Sequence, residues 1–192
     1  MPEKTVQKEP GKKPAPSKKP KPQQEVVVQI SLSELHPFPD HPFQVREDAS
    51  MQETAESVKE YGVLVPALAR PREDGGYELI AGHRRKHACE LAGLATMPVI
   101  VRDIDRDAAT IIMVDSNLQR ENILPSERAK AYKMKMEAIK RQGAQTDLTS
   151  PKNSAKFRSD DEVGQDAGVS GDTIRNYIAL TQLVPELQQM VD

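Results

Sequence analysis

Apolar positions along this chain come in short bursts whose spacing switches between strand and helix periods. Val26, Val27 and Val28 form a β-branched run that predicts a strand over Glu25–Ile30. His36 to Pro42 holds three prolines and reads as a loop. Met51, Ala55, Val58 and Tyr61 recur at helical spacing, with Gly62 positioned to end the last turn, so a helix is expected over Asp48–Tyr61. Ala67–Arg70 and Tyr77–Ala81 flank Asp74-Gly75-Gly76, a hairpin signal. A short helix over Arg84–Leu91, closed by Gly93, precedes a strand over Met97–Val101. Pro98 puts that strand near a sheet edge or marks its start.

Beyond this point the pattern is helical: Asp107–Gln119, then Pro125–Gln142 with Pro125 suited to a first turn, then three short helices within Asp160–Asp192. The polar stretch 143–158 reads as a linker, and no internal repeat is visible. The expected architecture is α+β. A first domain over 25–122 carries a small mixed sheet, and an all-α domain follows over 123–192.

Composition narrows the function classes. A single cysteine, Cys89, forms no intrachain disulfide and has no metal-ligand pattern around it, so a reducing compartment is expected. No apolar run approaches the roughly 20 residues of a membrane span, and no apolar stretch follows the N-terminal lysines as a secretory signal requires. The expectation is a cytoplasmic protein with no membrane partner. The net charge of -2 hides an asymmetry: residues 1–24 carry seven lysines and two glutamates, which leaves the body at -7. That tail is Lys- and Pro-rich, and the sequence predicts it to be disordered. Nucleic acid, if bound, must be held by local patches.

Three constellations supply candidate chemistry. Gly82-His83-Arg84-Arg85 follows a strand and opens a helix. Gly82 permits a tight turn and a close-lying ligand, the helix start offers unpaired N–H groups, and the two arginines present forked donors suited to phosphate. A solvated basic helix start is the plainer reading. His83 and His87 are spaced as a metal pair, but no third ligand stands nearby, and Cys89 reads as a small buried hydrophobe. The second constellation is the polar junction Asn117-Leu118-Gln119-Arg120-Glu121-Asn122, whose asparagines either cap helix ends or, with Arg120, meet a phosphate or base. The third spans 161–180. One helix ends at Gly168, Val169 plugs the turn, and Ser170 caps a second helix with Ile174 and Ile178 turned to the core. In a helix-turn-helix such a second helix enters the major groove, so Ser170, Asp172, Thr173, Arg175, Asn176 and Tyr177 are the candidate DNA contacts. Residues 158–192 nevertheless sum to -5, from two arginines and seven acidic residues. Phosphate neutralisation must then draw on Arg128, Lys130, Lys133, Lys135, Lys140 and Arg141 of the preceding helix, or on dimerisation.

These motifs in this order, together with Phe43-Gln44-Val45-Arg46, resemble the ParB-like partition protein family over about residues 25–192. The resemblance implies a ParB/sulfiredoxin-like first domain that binds CTP with Mg2+, and a helix-turn-helix at about 160–182 that reads a palindromic partition site. It also implies homodimers that close as a clamp on DNA, a ParA-like ATPase partner, and a further C-terminal dimerisation region that is absent here. Carried over by position, Gln44 and Arg46 lie near the nucleotide, Gly82, His83, Arg84 and Arg85 occupy the phosphate loop, Asn117 serves triphosphate and metal, and Arg120 stands beside it. Three positions depart from the family pattern. His83 replaces the loop glutamate, Ser116 replaces a glutamate before Asn117, and Val65 replaces the glutamine before Pro66. The first two put CTP hydrolysis in doubt, and the variants are more similar to plasmid or mobile-element relatives. The rival readings are a nucleotide-independent transcriptional regulator and an enzyme of the same superfamily, such as a nuclease or kinase. A sulfiredoxin-like reductase would need a cysteine where His83 stands.

Overall fold

Strand alternation sends neighbouring residues to opposite faces, and here both faces are covered. The computed structural model describes residues 25–120, 123–146 and 159–192. In chain order the elements are β1 (Val27–Ser31), a 3-10 turn (Leu32–Glu34), β2 (Leu35–Pro37), α1 (Ala49–Tyr61), β3 (Ala67–Pro71), β4 (Tyr77–Ala81), α2 (His83–Leu91), β5 (Thr96–Val101), α3 (Arg106–Leu118), α4 (Pro125–Thr146), α5 (Ser159–Ala167), α6 (Gly171–Leu180) and α7 (Pro185–Val191). The strands form one mixed sheet in the order β1-β5-β3-β4-β2. β1 and β3 run antiparallel to β5 and β4 respectively, while β3–β5 and β2–β4 are parallel. The small mixed sheet and the helical second half are as expected.

Ala67, Ala69, Leu79, Met97 and Val99 point to one face and pack under α1 and α2, against Met51, Val58, Ala88 and Cys89. Ile80 and Leu68, one residue out of phase, point to the other face with Phe38 and Phe43 and meet Ala109, Met113 and Val114 of α3. That second cluster continues into Ala131 of α4. A third cluster joins Tyr132 of α4 to Val163 of α5 and Ile174 of α6. α4 therefore shares one core with the sheet domain and another with the terminal helices.

Lys135 reinforces this joint. Its side chain is 1% exposed, and its ammonium donates to Asp115 of α3 at 2.6 Å and Asp166 of α5 at 2.8 Å. Burial works against the charge, but the two carboxylates outweigh it and hold the lysine above its ordinary pKa.

Aspartates just before the first helical residue cap two of the helices. Asp48 and Asp105 accept from the N–H groups of Met51 and Ala108, and Gly62 ends α1 at a positive φ of 71°. Five expectations need correction. His36 and Pro37 belong to a strand, not a loop, because β2 is a short edge pairing only with β4, where a proline is tolerated. β5 is an interior strand. Pro98 fits there because it is the third residue and the ladder to β3 begins only at Val99. Tyr61 is 64% exposed rather than on the core stripe of α1. α4 runs past Gln142 to Thr146, into the expected linker, and the rest of that linker, 147–158, lies outside the described residues. Val169 is 37% exposed and does not plug the turn of the terminal helices. Gly164 closes that turn instead: a Cβ there would stand 2.7 Å from the Val169 carbonyl oxygen. The tail over 1–24 also lies outside the described residues.

Candidate functional site: a cationic cleft and a helix-turn-helix

β4 ends at Ala81, and Gly82 turns the chain into α2 with φ 110°. A side chain at Gly82 would bring its Cβ within 2.8 Å of the Ala67 Cβ, so both the dihedral and the space demand glycine. The first turn of α2 then opens on a cavity of about 230 Å³. Its walls include Gly82, His83, Arg84, Arg85, Gln44, Asn117 and Arg120. A second depression of about 490 Å³ adjoins it through the shared residues Gln44, Arg84 and Arg120, and adds Arg46 and Glu127. All eight nucleotide-site residues expected from sequence thus meet around one composite cleft. A larger hollow of about 700 Å³ lies elsewhere, between Phe38, Arg106 and α4, and shares none of these eight.

The cations of the cleft differ in how they are held. Arg85 is half-buried and donates to the carbonyl oxygens of Val65 and Pro66 at 2.7 and 2.6 Å. Burial lowers its pKa. Its fork braces the loop before β3, a tie that the sequence pattern did not signal. Arg84 donates to the Ser50 hydroxyl at 3.1 Å and lies 3.7 Å from Asp48, linking the starts of α1 and α2. Among the described residues Arg46 and Arg120 have no ion-pair partner. Arg120 follows α3, where its N–H donates to the Asn117 carbonyl. The Asn117 amide and the Ser116 hydroxyl both donate to the Met113 carbonyl, at 2.8 and 2.9 Å. Asn122, the other asparagine of that junction, lies outside the described residues.

The cleft also touches α4. The Gln44 N–H donates to the Glu127 carboxylate at 3.0 Å, and Glu127 is buried. His41, which received no role from the sequence pattern, lines the inner cavity and packs against His83, with ring centroids 3.9 Å apart and the planes tilted by 48°. His87 faces away from a metal role and pairs with Glu47 and Glu90. Among the described residues no group of three or more His, Cys, Asp or Glu side chains is arranged to hold a metal. The inner cavity has no carboxylate lining among the described residues, so Mg2+ finds only a neutral oxygen donor such as Asn117 there. Cys89 is fully buried, and burial followed by the charge of Glu90 raises its pKa, which suits a packing role.

At the other end, α5, a tight turn and α6 form a two-helix hairpin. Ser170 caps α6, accepting from the Thr173 N–H at 3.1 Å. Asn176 is exposed on the outer face. Arg175 is ion-paired twice, to Asp172 one turn earlier and to the buried Asp160 of α5. Tyr177 turns partly inward and meets Tyr132 edge-on at 5.6 Å, with Arg128 over its ring. Among the six expected DNA contacts, Ser170, Asp172, Arg175 and Asn176 are exposed, while Thr173 and Tyr177 are half-buried. Among the described residues no helix is long and apolar enough to cross a membrane.

Comparison with known proteins fits this geometry. The profile of the ParB N-terminal domain matches residues 16–118, just over half of the chain. The chromosome-partitioning protein Spo0J of Thermus thermophilus is 35% identical over 86% of this chain and 55% of its own length. Stage 0 sporulation protein J of Bacillus subtilis is 32% identical over 88% of this chain and 53% of its own length. The chain therefore spans about half the length of these curated relatives. Among solved structures, the C-terminally truncated chromosome-partitioning protein ParB from Caulobacter crescentus, complexed to the centromeric parS site, is similar at a TM-score of 0.55 and 28% identity. That match covers 84% of this chain and 75% of the other. A Pnob8-like ParB-N domain shares the fold at a TM-score of 0.56 and 17% identity, over 79% of this chain and 67% of its own.

Proposed function

The chain belongs to the ParB-like partition protein family, and from that premise we propose that it is a DNA-binding segregation factor whose first domain binds CTP and whose terminal helices read a palindromic site. The observation that carries the reading is the convergence of Gln44, Arg46, Gly82, Arg84, Arg85, Asn117 and Arg120 on one cleft at a helix start. Unpaired guanidinium groups beside free N–H groups favour a polyanion of triphosphate size. The choice of CTP over other nucleotides is what the family implies. The parS complex of the Caulobacter relative supports DNA as the partner of α5 and α6.

Coupling between the two sites runs through α4. Gln44 is tied to Glu127 at the start of α4, and α4 carries Tyr132 against Tyr177 and Lys135 against Asp166. An anion held by Arg120 and Arg46 stands close to the Glu127 carboxylate, and like-charge repulsion there shifts the angle at which α4 presents α6. The missing carboxylates at positions 83 and 116 argue for binding with little or no hydrolysis. A homodimer, a ParA-like ATPase and a cytoplasmic location on the chromosome or a plasmid complete the proposal as its family-level parts.

The test is a calorimetric titration of the chain with CTP, ATP, GTP and UTP in the presence of magnesium, repeated on Arg84→Ala. Selective CTP binding lost in the variant, with its melting temperature retained, is the expected result. Equal affinity in the two proteins would sink the assignment of the cleft.

A further inference from the structure

His41 and His83 share an unusual condition. In each ring the Nε2 atom is buried without a hydrogen-bond partner. An unmet buried polar group is unfavourable, and both rings belong to the wall of one cavity, where a bound anion would change their electrostatic surroundings. The tautomer of His41 can be assigned. Its Nδ1 lies 2.7 Å from the Phe43 carbonyl oxygen, which only accepts, so Nδ1 carries the hydrogen. The Nε2 of neutral His41 is then a lone pair. A lone pair in a cavity lined by arginines cannot bond an ionised phosphate oxygen until it is protonated.

We infer that His41 is a further ligand-binding residue of this cleft, and that it takes up one proton as the anionic guest enters. The inference rests on the nucleotide reading above and adds its proton stoichiometry. The surroundings select His41 over His83. Facing His83 are His41, Lys86 and Arg85, all opposing a positive charge, and burial holds its pKa down at about 3. Facing His41 are Arg120, which opposes the charge, and the Phe43 carbonyl and Glu127, which favour it; burial still keeps its pKa below the ordinary histidine value. Ser116 and Asn117 from α3 and Arg84 from α2 complete the wall, and among these only Arg84 is charged. With centroids 3.9 Å apart the two rings cannot both become cations, so the uptake is one proton and not two. A bound polyanion supplies the negative charge that the empty cavity lacks, and it raises the His41 pKa on binding.

The experiment is CTP titration at pH 6 and pH 8, each in two buffers of different ionisation enthalpy, on the chain and on His41→Gln. Comparing the two proteins cancels the protonation of the nucleotide itself. We expect the chain to take up more protons than His41→Gln on binding CTP at pH 6, by no more than one, with a smaller excess at pH 8. Its affinity should rise relative to the variant as pH falls, by up to about tenfold per unit. Ring-carbon NMR of His41 in the unaltered chain gives a readout independent of the variant's folding, with a larger protonated fraction in the presence of CTP than in its absence. CTP binding with no excess uptake and a neutral His41 ring would overturn the inference and leave the nucleotide reading standing. Absence of CTP binding would overturn both.

Discussion

The two candidate sites are built on opposite electrostatic plans. At the cleft, cations outnumber nearby carboxylates, and Arg46 and Arg120 have no ion-pair partner among the described residues. At α6, the one arginine is engaged by Asp160 and Asp172, and the surrounding segment is net acidic. The cleft therefore attracts its ligand by charge. The helix-turn-helix presents shape and a few polar side chains, and on its own draws little on the phosphate backbone that dominates nonspecific affinity. Under the proposed function such a module draws on α4, where Arg128, Lys130, Lys133 and Lys140 lie, and on a second copy at a palindromic site. Placing attraction in one site and discrimination in the other suits a protein whose DNA grip is governed from the cleft.

The largest effect should come from breaking the cleft. Arg84→Ala or Arg120→Ala removes charge-assisted bonds worth about 1.5–3 kcal/mol each, so triphosphate affinity should fall by roughly 10- to 150-fold in calorimetry with folding intact. Next is the joint between the two regions. Asp115→Asn combined with Asp166→Asn strands the buried Lys135 ammonium and should cost about 3 kcal/mol in denaturant unfolding. Lys135→Met, which removes the buried charge and leaves two half-exposed aspartates to water, should cost about 1 kcal/mol or less. Equal losses in the two variants would contradict the buried-charge account.

A pH series sharpens the contrast further. His83 is held neutral in the fold, with a pKa of about 3 against 6.5 unfolded. Between those values the unfolded chain binds the extra proton. Stability should thus be complete above pH 6.5 and decline as pH falls toward 3, by up to about 1.4 kcal/mol per unit. His83→Gln should flatten that slope in thermal melts. The smallest effect belongs to the helix-turn-helix. Asp172→Asn removes an anion from the proposed DNA-facing surface and releases one tie on Arg175. DNA affinity should rise severalfold in fluorescence anisotropy, with a steeper salt dependence. An unchanged affinity would mean that this face of α6 does not meet DNA.

Much of this was legible in the sequence because local rules and tertiary packing agreed. Gly62, Gly82 and Ser170 each mark a helix boundary by a cap or a positive dihedral, as their chemistry indicated, whereas Asp48, expected as the first helical residue, is the cap of α1. The eight cleft residues could be named because short motifs carried them. What local pattern could not reveal depends on contacts distant in sequence. β2 looked like a proline-rich loop because its strand character comes only from pairing with β4. The Gln44–Glu127 tie joins residues 83 positions apart. His41 was invisible because nothing in Asp40-His41-Pro42 signals that its ring packs against His83. The turn of the terminal helices was credited to Val169, whereas Gly164 closes it through a backbone approach that no hydropathy pattern records.

We propose that the cleft around Gly82 and Arg120 controls the DNA grip of α6 through α4. It is tested most directly by measuring DNA binding of the chain, on a palindromic partition-type duplex, with and without CTP and magnesium, alongside Arg84→Ala. CTP should change the affinity or lifetime of the DNA complex in the unaltered chain and leave the variant's complex unaffected. The same DNA affinity and lifetime with and without CTP in both proteins, while calorimetry shows the cleft occupied, would contradict it.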